Sequence, residues 1–154
     1  MISHLNKKNK PINVNISNKK KSKRIAIAEG HIQFTKSKFN KIKSLKTKKG
    51  KIEDVAIIAG ILGAKKTSEL IPLSHNIQIE NIEINIESID EKKMIIIRST
   101  VRTTGKTGVE MEALTAVSTA CLTVYDMCKS IDKKIEIKNI RLIEKRGGKT
   151  NFKL

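Results

Sequence analysis

Apolar residues recur at two different spacings along this 154-residue chain, and each spacing predicts a different element. Ile25 and Ile27 among small residues predict a strand over 24–34, preceded by a shorter one over 14–16, with the basic turn 18–23 between them. Residues 35–44 are a helix candidate and 47–51 a turn. From 52 to 69, Val55, Ile58, Ala59, Leu62 and Ala64 form a helical stripe, with Gly60, Gly63 and Ala64 small enough for close packing. Ile77, Ile79, Ile82, Ile84 and Ile86 then alternate with polar residues, and a change of phase near Glu80 and Asn81 reads as a bulge. Residues 94–101 return as the second strand of that hairpin. Over 108–131, Leu114, Val117, Cys121, Val124, Tyr125 and Cys128 recur every three or four positions, predicting a long helix. Ile135, Ile137, Ile140, Leu142 and Ile143 mark a last strand before a basic tail opened by glycine. The order is βαββαβ, an α+β pattern whose natural packing is an antiparallel sheet with helices on one face.

The length suits one domain. Residues 1–11 are polar and rich in Lys and Asn, a disordered basic lead-in whose removal is expected to leave activity unchanged, and 12–154 form the single domain. The net charge of +17 is uneven, because residues 1–51 hold sixteen basic residues and one acid. Such an excess marks either an anion-binding surface or a Lys/Ile/Asn bias that fills solvated positions, so it assigns no function. A basic RNA-binding module is the other class it raises. Phe and Tyr total only four and give no stacking platform on the predicted central strands, so no nucleic acid is expected as partner. Cys121 and Cys128 are seven apart on one helix, roughly 10 Å along its axis, too far to pair. They read as buried thiols, and no C-x-x-C pattern suggests zinc. With no signal-like apolar start and no run of 18 apolar residues, a soluble cytoplasmic protein away from any membrane is expected.

Polar residues cluster in RTTGKTGVEMEALTA, 102–116, where a Thr/Gly loop runs into a helix start bearing Glu110 and Glu112. Acids there suit the helix dipole and Thr107 could cap, so taken alone the segment reads as a helix start before it reads as catalytic. GKT at 105–107 is no phosphate-binding P-loop, since Thr100 stands where the motif needs glycine. Asp126 and Lys129 share a helix face as an i,i+3 pair, and His75 sits in a loop, LIPLSHN. Each has an ordinary reading as an ion pair or a surface histidine.

Together, and in this order, these segments resemble one family. From about residue 14 to 152, through KG at 49–50, IAGILGAKKTSELIPLSH at 58–75, VRTTGKTGVEMEALTA at 101–116, YDMCK at 125–129 and IRLIEKRGGKT at 140–150, the chain is similar to the cyclic pyranopterin monophosphate synthases. The resemblance implies a ferredoxin-like α+β domain assembled as a homo-hexamer, a trimer of dimers. It implies a lyase of molybdenum cofactor biosynthesis acting on 3′,8-cyclo-7,8-dihydro-GTP, supplied by an upstream radical S-adenosylmethionine GTP cyclase. The product is a pyranopterin with a cyclic phosphate, and pyrophosphate is released. No cofactor or metal site is implied, and whether Mg²⁺ accompanies the triphosphate stays open. By the same resemblance Asp126, Lys129 and Lys49 are catalytic. Leu73, Ser74 and His75 form one substrate-binding loop, Glu110, Met111 and Glu112 a second segment, and Lys145 and Arg24 complete the binding set. The loop usually read as LCHP is LSHN here, and the early VDVS pattern is VNIS. One helix cannot bring Glu112 and Asp126 to one small pocket, because fourteen residues span roughly 21 Å. A site shared between subunits is therefore expected.

Overall fold

The computed structural model describes residues 4–6, 8–43, 46–47 and 50–154. Its elements run β1 (Ser22–Gln33), α1 (Lys36–Lys43), β2 (Lys46–Thr47), β3 (Gly50–Lys51), α2 (Ile52–Lys65), α3 (Thr67–Leu70), β4 (Asn81–Ile89), β5 (Met94–Gly105), α4 (Glu110–Cys128), β6 (Glu136–Arg146) and β7 (Phe152–Lys153). The main sheet has the order β4-β5-β1-β6-β7, with every pairing antiparallel. Without the two-residue strands this is the βαββαβ topology of a ferredoxin-like α+β fold.

Side chains alternate across β1, so one face of the sheet carries Ala26, Ala28 and Ile32 towards the helices. Gly30 lies on that face, and a Cβ there would meet Val117 and Cys121 of α4, so the helix sits directly on the central strand. Ile95, Ile97 and Val101 of β5 close the core from below, and Ala113, Ala116, Ala120 and Val124 of α4 close it from above. Each fully buried Ile or Val contributes roughly 1.5–3 kcal/mol. On the opposite face Glu29 is only 5 % exposed, since His31 and Arg98 reach its carboxylate at 2.8 and 2.6 Å. Burial alone would raise its pKa, but the bonds from His31 and Arg98 hold it below the usual carboxylate value.

Several sequence expectations change. No strand forms over 14–16, because the Asn15 side chain accepts the Ser17 N–H and turns the chain. The helix expected over 52–69 is broken at Lys66, where the Thr67 hydroxyl donates to the Ala64 carbonyl at 2.9 Å and competes with helix continuation. Its buried face is also rotated: Ile52, Ala56, Gly60, Gly63 and Ala64 are buried, whereas Ile58 and Leu62 are 60 % and 52 % exposed. Ile77 and Ile79 precede β4 rather than belonging to it, so there is no bulge there. That segment is held by Thr103 Oγ1 donating to the Gln78 carbonyl at 2.6 Å and by Glu80 N–H donating to the Arg102 carbonyl. β5 runs on to Gly105, and α4 is shorter than 108–131 at both ends, its N-cap being Val109 rather than Thr107. The segment read as a disordered lead-in carries a local turn, with Leu5 paired to Pro11.

Candidate active site

Two irregular segments meet beside the start of α4. After α3, Pro72 supplies the fixed φ suited to the second position of a β-turn, which the Ser74 N–H closes by donating to the Ile71 carbonyl at 3.0 Å. The turn presents Leu73, Ser74 and His75. After β5, residues 105–109 lead into α4, and the Glu110 carboxylate lies against Gly108, where any side chain would collide with it. These segments enclose a pocket of about 490 Å³ lined by Leu73, Ser74, His75, Met111 and Glu112. That volume suits a small-molecule ligand.

A second, smaller pocket of about 160 Å³ adjoins it, lined by Arg24, Lys106, Lys145 and Lys149. Thr107, Gly108 and Glu110 line both, so the two share a wall and make a bipartite cleft. The tail shapes the cationic half. Gly147 has φ +87°, a conformation side chains rarely adopt, and the Lys23 carbonyl fills the place of its missing Cβ. Ser22 Oγ donates to the Gly147 carbonyl at 2.8 Å and pins that turn to β1. Arg24 Nε donates to the Gly105 carbonyl at 3.4 Å, and Lys145 Nζ stands 3.2 Å from Glu110 Oε1.

Glu112 is 3 % exposed, and burial pushes its carboxyl up to about 7, with the neighbouring charge of Glu110 adding to the rise against a backbone hydrogen bond. A carboxyl poised near neutrality can donate or accept a proton. Burial alone drives the Cys121 thiol up to about 12, and Cys128 rises to about 11. Both are free and buried, which makes them inert packing groups.

Of the residues singled out in the sequence, Arg24, Leu73, Ser74, His75, Glu110, Met111, Glu112 and Lys145 gather on this cleft. Asp126 and Lys129 line neither pocket. They form an ion pair of 2.7 Å at the far end of α4, 59 % and 58 % exposed, and the helix between them and Glu112 is unbroken. The Asp126 carboxylate raises the Lys129 pKa. Lys49 lies outside the described residues. Sequence reasoning missed His4, Lys19, Lys106 and Lys149 at the cleft. Lys106 and Lys149 stood within the two motifs GKT and GGKT, which was the available signal; His4 and Lys19 had none beyond their charge and type. Among the described residues no cluster of His, Cys, Asp and Glu could hold a metal ion, and no helix is long and apolar enough to cross a membrane.

A model described as the MoaC family matches residues 13–148. A cyclic pyranopterin monophosphate synthase from Clostridium botulinum is 49% identical over 148 residues, covering 96% of this chain and 93% of the relative. A protein of the same name from Clostridium acetobutylicum is 45% identical over 150 residues, covering 97% and 93%. Another, from Helicobacter pylori strain Shi470, is 46% identical over 149 residues, covering 97% and 94%.

Proposed function

The chain belongs to the MoaC family, and from that premise we propose that the bipartite cleft is where it works as a cyclic pyranopterin monophosphate synthase. It is a lyase of molybdenum cofactor biosynthesis. Its substrate is (8S)-3′,8-cyclo-7,8-dihydroguanosine 5′-triphosphate, and its products are cyclic pyranopterin monophosphate and pyrophosphate. The observation that carries the reading is the wall of Thr107, Gly108 and Glu110 that the two pockets share, one pocket cationic and the other lined by a buried carboxyl and a histidine. A triphosphate needs cations that hold it without reacting, and Arg24, Lys145, Lys106 and Lys149 supply them. A guanine-derived ring needs acceptors for its N–H groups and a group that exchanges protons, which Glu112 and His75 provide. Closing the cyclic phosphate joins a sugar-derived hydroxyl oxygen to the α-phosphorus as the bond to the β-phosphate oxygen breaks. The cationic half stabilises the departing pyrophosphate.

Asp126 and Lys129 complete the catalytic set from a neighbouring subunit, in a homo-hexamer built as a trimer of dimers, and Lys49 belongs to the same catalytic set. Support comes from the roughly 21 Å of unbroken helix between Glu112 and Asp126 and from the exposed apolar side chains Ile58, Leu62 and Leu122, which an interface would cover. The substrate is delivered by an upstream radical S-adenosylmethionine GTP cyclase, in the cytoplasm, a setting that suits two unpaired thiols. Neither cofactor nor metal enters this scheme. Incubation with that enzyme's product, followed by mass spectrometry, should show the cyclic phosphate product and one pyrophosphate for each substrate consumed. Persistence of the substrate would reduce the function to binding.

A further inference from the structure

We propose that the N-terminal arm is part of the substrate site and that His4 contacts the guanine-derived ring of the substrate. The proposal rests on the reading of the cleft given above. His4 lines the larger pocket together with the Leu73–His75 turn and the Glu110–Glu112 segment. It does not reach there on a loose end. The Ile12 N–H donates to the His4 carbonyl at 2.9 Å, the Asn6 N–H donates to the Lys10 carbonyl at 2.9 Å, and Leu5 pairs with Pro11. Asn6 Oδ1 accepts the N–H groups of both Lys8 and Lys10, at 2.9 and 3.0 Å, and so ties the turn from inside. Asn9 takes the left-handed conformation this turn needs, at φ 57°.

Further along, the arm is fastened again beside the cationic pocket. Lys106 Nζ donates to the Ser17 carbonyl at 2.6 Å, and Lys19 lines that pocket with Arg24 and Lys145. One stretch of chain therefore touches both halves of the cleft, His4 at the ring end and Lys19 at the phosphate end. A histidine that merely decorated the surface would need neither the closed turn nor the second fastening. An imidazole can donate to a ring carbonyl or accept from a ring N–H, so its chemistry fits the heteroatom edge of a purine-derived ring. The sequence alone treats residues 1–11 as dispensable; the position of His4 predicts the reverse.

Steady-state kinetics on the full chain test this, using wild type, His4→Ala, His4→Gln, Asn6→Ala and the double variant His4→Ala/Asn6→Ala. Loss of one neutral hydrogen bond made equally to substrate and transition state should raise KM about three- to tenfold in His4→Ala with little change in kcat. His4→Gln should recover part of the loss, because its amide can both donate and accept. Asn6→Ala should raise KM less, and the double variant should match His4→Ala, since Asn6 acts only by holding His4. Melting temperatures should not move. An unchanged KM in His4→Ala, or full additivity in the double variant, overturns the proposal. Wild type that consumes no substrate defeats the functional reading instead. In that event hydrogen exchange still decides the arm, with GTP as probe: slowed exchange at Lys8, Lys10 and Ile12 supports it and unchanged exchange overturns it.

Discussion

Glu112 sits almost wholly inside the protein at the start of α4, and its carboxyl titrates near 7 because burial disfavours the charge. The folded chain thus keeps a proton that the unfolded chain sheds above the ordinary glutamate value of 4.5. Stability should fall as pH rises from there to about 7 and level off beyond, with this group contributing a slope worth on the order of 3 kcal/mol. Glu112→Gln should flatten that slope, which urea unfolding at pH 5 and pH 8 would measure; an unaltered difference between the two pH values would show that Glu112 is not the cause. Glu29 acts in the opposite sense. Its depressed pKa supplies stability above the usual carboxylate range, and this is lost as acid protonates it. Seven of the eight candidates that gather on the cleft lie in the segments 58–75, 101–116 and 140–150 that carry the family resemblance, and Arg24 lies outside them. His4 was not legible, since nothing in a Lys/Asn-rich start says that a turn will carry it back to a pocket formed by residues between Ile71 and Glu112. Spacing did tell that Asp126 and Lys129 would stand at the other end of the same helix, since fourteen residues separate Asp126 from Glu112.

At the level of elements, the contact between α2 and α4 is made by small residues. A Cβ on Gly60 would meet Ile84 Cδ1, the Ala116 carbonyl and Ala120, and one on Gly63 would meet Thr119. Gly60→Val should therefore force the helices apart and cost about 1–3 kcal/mol, read as a lower melting temperature. A melting temperature equal to that of the wild type would mean that the pair can part at no cost. The same feature explains what the sequence concealed. α2 is apolar nearly all round, so the large residues Ile58 and Leu62 dominated the stripe while glycine and alanine decided which face was buried. Strand β5 and helix α4 were legible, because each has one buried face and a regular period; in β1 the buried run Ala28, Glu29 and Gly30 breaks the alternation, and Ile25 and Ile27 lie opposite the core face of Ala26 and Ala28. The break at Lys66 was not, because it comes from a single threonine hydroxyl taking a backbone carbonyl. The unpaired 76–80 segment was misread since its alternation satisfies a strand pattern while its backbone bonds go to β5 one at a time.

For the whole molecule, the distance between the two ends of α4 leads to the prediction that sites are completed across subunits. His75→Ala and Asp126→Ala should each be inactive alone. Once mixed and exchanged they should regain part of the activity, because some interfaces would join an intact His75 to an intact Asp126. Native mass spectrometry would establish the exchange, and zero activity in exchanged oligomers would rule out sharing between these two residues. The sheet order has another consequence, for how the chain is made. β1 is central, yet Ser22 pairs with Gly105 and Ile25 with Arg146, so the first long strand synthesised has both of its neighbours still to come. At roughly 5–20 residues per second, its two edges wait several seconds for β5 and longer for β6. During translation the nascent chain offers an open, apolar strand with no mate, the kind of segment that chaperones shield and that crowded chains pair with wrongly. The central strand therefore cannot gain both of its neighbours until β6 has left the ribosome.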